Sequence, residues 1–160
     1  MMLIQVISGG QTGADQGALI AARACGLCTG GWMPRGFRTA DGPRPDLAVD
    51  FGLQEHSSPN YAPRTRRNVQ EADATVRLAR KWNTSGERAT LKFLRHYGKP
   101  YLNVSIDSPV PPAAVAKWLL DNRVRVLNVA GNREQNAPGI ENFVAAYLKN
   151  VFRLVLKARK

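Results

Sequence analysis

Short apolar runs alternate with segments of helical period along almost the whole chain, and glycine marks most switches between them. The first run, Leu3 to Ile7, reads as a buried strand. It breaks at Ser8-Gly9-Gly10 and passes through Gln11-Thr12-Gly13. A helix from about Thr12 to Ala24 follows, with Ala14, Ala18, Leu19, Ala21 and Ala22 on its apolar side and Gly26 past its end. A short strand is expected at Leu27–Thr29. The pattern then lapses. Residues 30–60 are rich in proline and glycine and keep no sustained period, yet Trp32, Phe37 and Phe51 argue for an ordered flap rather than disorder.

Regularity returns at Asn60 or Tyr61 with a helix holding Pro63 in its first turn. A strand at Ala74–Ala79, a helix at Glu87–Tyr97 stopped by Gly98 and Pro100, and a strand at Tyr101–Ile106 come next. Pro111-Pro112 opens another helix, and Arg125–Val129 is the last strand. The final helix starts near Pro138 and buries Ile140, Phe143, Val144, Tyr147, Leu148 and Val151 on one broad face.

Strand and helix in repeated alternation specify the α/β class: a mostly parallel sheet of about five strands, covered on both faces. At 160 residues, one domain spanning 1–160 is expected. In such sheets ligands gather at the carboxyl ends of the strands, near the point where strand order reverses. The turns at 8–13, 30–32, 82–86 and 131–134 all fall at carboxyl ends, so they should converge on one edge.

Charge changes this picture only in part. A net +11 favours encounter with polyanions, either nucleic acid or phosphorylated small molecules. The basic residues are spread through Arg64–Lys99 and the tail Lys149–Lys160 rather than held in one tract, so nucleic acid is possible but not favoured. No apolar run is long enough to span a bilayer, and the start, MMLIQVISGG, lacks the basic segment of a secretion signal. No membrane partner and a cytoplasmic location are expected. Cys25 and Cys28 have no matching histidine pair for a zinc site, and Cys25 lies near a helix end rather than a helix start, so buried free thiols are expected.

Candidate chemistry centres on the first turn. Strand, glycine turn and helix start let backbone N–H groups and a helix dipole meet an anion. The turn has no lysine of the G-x-x-x-x-G-K-[ST] kind, which disfavours P-loop chemistry. The next strand ends in Thr29-Gly30-Gly31-Trp32 without the acid that would hold a ribose, which disfavours an NAD oxidoreductase. Thr12 and Asp15 have the spacing of a capping box. Asp15 would repel a phosphate seated on the helix, so a sugar hydroxyl, a bridging metal ion or a water suits it better. Arg64, Thr65 and Asn68 in a helix first turn suit phosphate or carboxylate capture, or else form a solvated face. Arg133 can reach an anion at the pocket mouth, and Glu134 and Asp15 are candidate catalytic carboxylates.

These segments also carry a family likeness. ISGGQTGADQGAL, GGWMPRGF with a following DG, SSPNYAPRTRRNV, DAT, GKP, and LNVAGNRE with PGI occur in that order. The set resembles the bacterial molybdenum-cofactor carrier family of the SLOG superfamily, whose relatives include lysine-decarboxylase-like phosphoribohydrolases. The resemblance implies a Rossmann-like three-layer sandwich and a ligand with a phosphate and a ring system, either molybdenum cofactor or a nucleotide. It also implies a homo-oligomer. Binding is expected at Ser8, Gly9, Gly10, Gln11, Thr12, Gly13 and Asp15, with Arg64, Thr65 and Asn68 beside them. Gly31, Trp32, Ser85, Gly86, Gly131, Arg133 and Glu134 complete the expected wall. One departure stands out. The family's second phosphate turn is of the Ser-Gly-Gly-Thr type, whereas here Gly86 is followed by Glu87 and Arg88, and Glu87 would oppose an anion. The first expectation is therefore a binding protein for a phosphorylated cofactor or nucleotide. The alternatives are a phosphoribohydrolase-type enzyme cleaving the N-glycosidic bond of nucleoside monophosphates, and a nucleic-acid-binding protein.

Overall fold

The apolar runs do become a parallel sheet. The computed structural model describes residues 2–158, so Met1, and Arg159 and Lys160 of the basic tail, lie outside the described residues. Five strands form the sheet: β1 (Gln5–Ile7), β2 (Cys28–Gly30), β7 (Ala74–Ala79), β8 (Tyr101–Ser105) and β9 (Val126–Gly131), in the order β2-β1-β9-β7-β8. Every pairing in it is parallel. Helices α1 (Ala14–Ala24), α5 (Pro112–Asp121) and α6 (Ile140–Lys157) pack together, and α3 (Tyr61–Glu71) packs on α4 (Ser85–Tyr97). The result is a Rossmann-like three-layer arrangement. Interior strand β7 is buried at every residue, as expected for a strand covered on both faces.

The strand order places the site. From β1 the chain steps outward to β2, from β7 it steps outward the other way to β8, and β9 returns to fill the gap between β1 and β7. The reversal therefore sits over β9, and the turns after β1 and β7 flank it.

The flap is ordered, but it is not devoid of regular structure. It holds β3 (Trp32–Met33), β4 (Arg38–Thr39), β5 (Gly42–Pro43), α2 (Asp46–Phe51) and β6 (Gln54–Glu55). Strands of two residues and a helix of six are too short to leave a period in the sequence. Leu19, Met33, Leu47 and Leu53 form a small core beneath them, with Phe37 and Phe51 packed against it.

The last helix buries the expected stripe except Phe143, which is only partly buried, and adds Phe152 and Val155. It begins at Ile140 rather than Pro138, because Gly139 adopts a left-handed conformation immediately before it. Both cysteines are free, but neither is fully buried: Cys25 is half-buried and Cys28 exposed on edge strand β2. Among the described residues, no helix is long and apolar enough to cross a membrane.

Candidate functional site

A cavity of about 520 Å³ opens at the carboxyl edge of the sheet, within the range of small-molecule sites. One wall is α3, with Tyr61, Arg64, Thr65 and Asn68. The opposite wall is the start of α4, from Thr84 to Glu87. Between them lie Asn128–Arg133 at the end of β9, with Gly9, Gln11 and Asp15 from the first turn.

The first turn is built from side chains answering its own backbone. Ser8 Oγ donates to the Asp15 carbonyl at 3.0 Å, and the Asp15 carboxylate accepts the Gln11 N–H at 3.1 Å. Gln11 Oε1 accepts from the N–H groups of Thr12 and Ala40, at 2.9 and 2.8 Å, which ties the flap to the turn. Its Nε2 is buried with no partner, a donor left over at the cavity wall. The expected capping box does not form. Gly13, at φ 86°, is the residue that caps α1, and no side chain bonds there. That turn swings Thr12 away to donate to Gln135 Oε1 at 2.8 Å and accept the Glu134 N–H at 3.3 Å.

Asp15 is only 6 % exposed. Burial pushes its carboxyl up to about 6, with the Arg64 and Arg133 guanidinium groups pulling the other way. In the unfolded chain the same group ionises near the ordinary 3.8. The folded state therefore holds a proton between these values that the unfolded state has lost. The resulting stability is present at low pH and disappears as pH rises through 6, about 3 kcal/mol in all. Urea titrations of the apo protein from pH 4 to 7.5 are expected to show this decline, and Asp15→Asn to reduce it to the part due to Glu87, whose carboxyl burial also pushes up, to about 7. An unchanged slope in the variant would contradict a native Asp15 that stays protonated above pH 4.

Arg64 lies directly over Gly9. A Cβ added there would come within 2.7 Å of the guanidinium carbon, so only glycine lets this cation sit against the turn. The Arg64 guanidinium touches Thr65 Oγ1, while its Nε is buried without a partner. It is one of three arginines gathered around a single ring: Arg38, Arg64 and Arg133 lie 5.1, 5.3 and 5.4 Å from the Tyr61 centroid. They come from β4, α3 and the loop after β9. Asp15 is buried beside two of them.

Of the expected residues, the structure gathers Gly9, Gln11, Asp15, Arg64, Thr65, Asn68, Ser85, Gly86, Gly131 and Arg133 around the cavity. It does not bring Ser8, Gly10, Thr12, Gly13, Gly31, Trp32 or Glu134 to the lining. Gly10 backs onto Met33 and Leu53, and Gly31 onto the Ser8 backbone. Glu134 holds the approach to α6, its carboxylate accepting the N–H groups of Gly139 and Glu141 at 2.5 and 3.0 Å. Trp32 meets Asn68 through its backbone: the Asn68 amide accepts from Trp32 N at 2.9 Å and donates to Trp32 O at 3.1 Å. That pair of hydrogen bonds docks the flap on α3 and occupies the Asn68 side chain.

Sequence reasoning missed Tyr61, Arg38, Asn128 and Asn132. Tyr61 had a usable signal, since it opens the helix that carries Arg64 one turn later. Arg38 had none, because nothing local shows a flap residue folding back onto that ring. Asn132 takes the N–H groups of Arg80 and Lys81 on Oδ1 and donates to the Lys81 carbonyl, clamping the turn after β7 to the turn after β9.

Fold and cavity together define a Rossmann-like α/β protein with a ligand-sized pocket where its strand order reverses. The chain belongs to the circularly permutated YpsA SLOG family, which it matches over residues 6–152. It is also similar to a protein of solved structure from Syntrophus aciditrophicus SB named "Putative molybdenum carrier protein". The two share 31 % identity over 93 % of this chain and 94 % of that one, with a TM-score of 0.84. None of the curated proteins matches the chain.

Proposed function

We propose that this protein binds a phosphorylated small molecule with a ring system, either the molybdenum cofactor or a nucleotide, in the cavity over β9. The observation that carries the reading is the meeting of Arg38, Arg64 and Arg133 on Tyr61 beside the Gly9 turn. Three guanidinium groups repel one another, and an anion seated among them removes that cost while accepting charge-assisted hydrogen bonds. The unpartnered donors Gln11 Nε2 and Arg64 Nε lie at the same end of the cavity and suit phosphate oxygens. The name of the Syntrophus protein is consistent with a carrier of this type. The lining contains no thiol and no imidazole. A molybdenum cofactor would therefore be held by its organic part: Arg64, Arg133 and Gln11 on the phosphate, and the polar groups of β9 and α4 around the ring. The metal chemistry would belong to the cofactor and to whatever protein receives it.

Native mass spectrometry of freshly purified protein tests the reading. A retained species whose mass fits a phosphorylated pterin or nucleotide is expected, and it should be lost from Arg64→Ala. A retained ligand without phosphate, or one that Arg64→Ala keeps, would overturn the assignment.

A further inference from the structure

The cavity has two chemically opposite ends, and the second is set by Glu87. Thr84 caps α4 by accepting the Glu87 N–H at 3.2 Å, which fixes Glu87, a residue of the cavity lining, in the first turn. The residue is 2 % exposed, yet its Oε2 accepts no hydrogen bond. Arg77 is the nearest cation, with Nη2 3.6 Å from that oxygen, beyond hydrogen-bond range. Two Arg77 hydrogen bonds go elsewhere, Nη2 to the Glu87 carbonyl at 2.9 Å and Nη1 to Asn103 Oδ1 at 3.1 Å, and its Nε is buried without a partner. Its guanidinium also faces the Trp82 ring at 5.1 Å. Arg77 thus lies behind the Glu87 carboxyl without a hydrogen bond to Oε2, and burial pushes that carboxyl up to about 7 against the pull of the Arg77 charge. A buried carboxylate left in this state is costly unless something donates to it.

A second phosphate does not fit there, because the carboxylate would oppose it. The group that fits is a pair of N–H donors. We infer that Glu87 reads the edge of the ligand's ring, selecting a 2-amino-4-oxopyrimidine edge, in which a ring N–H and an exocyclic NH₂ point the same way and match the two oxygens of a carboxylate. Guanine and pterin share this edge. Adenine offers a ring nitrogen acceptor in the same place and would set lone pair against lone pair once Glu87 is ionised, the form that donors from the ligand favour. The inference rests on the binding proposed above and orients that ligand: phosphate on Arg64 and Arg133, donor edge on Glu87.

Calorimetric titration at pH 8.5, where Glu87 is ionised, with guanosine monophosphate, inosine monophosphate, adenosine monophosphate and neopterin monophosphate tests it. The wild-type protein is expected to bind the guanine or the pterin probe at least 10-fold more tightly than the adenine one, with the inosine probe, which lacks the amino group, in between. The guanine and pterin arms show which ring is preferred. Glu87→Gln should cost the 2-amino-oxo probes about 10- to 100-fold and leave the adenine probe unchanged or improved. Arg64→Ala should weaken all probes alike. If guanine, pterin and adenine probes bind the wild-type protein equally, or if Glu87→Gln lowers all of them by one factor, Glu87 does not read the ring. In either case, a uniform Arg64 dependence would leave the phosphate assignment standing. If no phosphorylated probe binds, both assignments fail. The wild-type ranking alone decides the matter should Glu87→Gln not fold.

Discussion

Gly131→Ala is expected to lower the thermal midpoint by about 10 °C or more, or to leave the chain unable to accumulate in folded form. Gly131 ends β9 opposite Leu78 of β7. A methyl group there would lie 1.9 Å from the Leu78 carbonyl oxygen and 2.7 Å from the Ala14 Cβ. Neither neighbour can yield. The carbonyl belongs to the buried interior strand, where it accepts the Asn132 N–H at 3.2 Å, and Ala14 starts α1. The strands would have to part at the point where they build the cavity floor. Overpacking of backbone against backbone costs about 4 kcal/mol or more, a large share of a typical domain's stability. Gly86→Ala is the contrasting control. A methyl group there meets nothing within 4 Å, and the position is helical. It should leave the apo protein unchanged or up to about 1 kcal/mol more stable. Circular dichroism melts of the two variants make the comparison. A Gly131→Ala midpoint within 2 °C of the parent would mean that β7 and β9 are not held as closely as the register indicates.

Arg64→Ala is expected to weaken binding of the phosphorylated ligand by about 100- to 1,000-fold, the largest effect of any substitution in the cavity. Truncating a half-buried charge that makes charge-assisted bonds costs about 2–5 kcal/mol, since the anion loses its partner in a poorly solvated place. Two further consequences follow from its contacts. Asp15 loses the neighbouring charge that most lowers its carboxyl, so its protonation should move to still higher pH. Arg64→Lys should recover little, because an ammonium group cannot cover Gly9, touch Thr65 and face Tyr61 at once as the planar guanidinium does. Titration of each variant with the ligand identified by mass spectrometry measures the loss. Lysine restoring more than half of the lost binding energy would point to simple charge attraction rather than a shaped contact.

The helical and strand segments of the main sheet were legible because each is long enough to show its period. α6 is the clear case, repeating its buried positions over five turns, while β7 is apolar except at Thr75 and Arg77 and is bounded by turn residues. The flap was legible only as an ordered exception. Its elements are too short for periodicity and are stabilised by Leu19 of α1, outside the segment itself. The Thr12–Asp15 spacing was legible as a cap and misleading, because the positive φ of Gly13 points the two side chains to different destinations. Thr12 meets Gln135, 123 residues away, while Asp15 turns back on its own loop. Glu134 looked chemically available, and instead it holds the backbone before α6.

By itself, the sequence determined the order of strands and helices, the glycine turns at their carboxyl ends and the basic character of the segment carrying Arg64. These follow from local apolar periodicity and from turn chemistry, which act over a few residues. Only the tertiary structure decided which turn residues face a cavity, that Arg38, Arg64 and Arg133 share one aromatic ring, and that Glu87 is buried with an unpaired oxygen opposite them. Those facts depend on strand order. β9 folds in between β1 and β7 and brings together groups more than 100 residues apart in the chain, and no local pattern encodes where a late strand will be inserted.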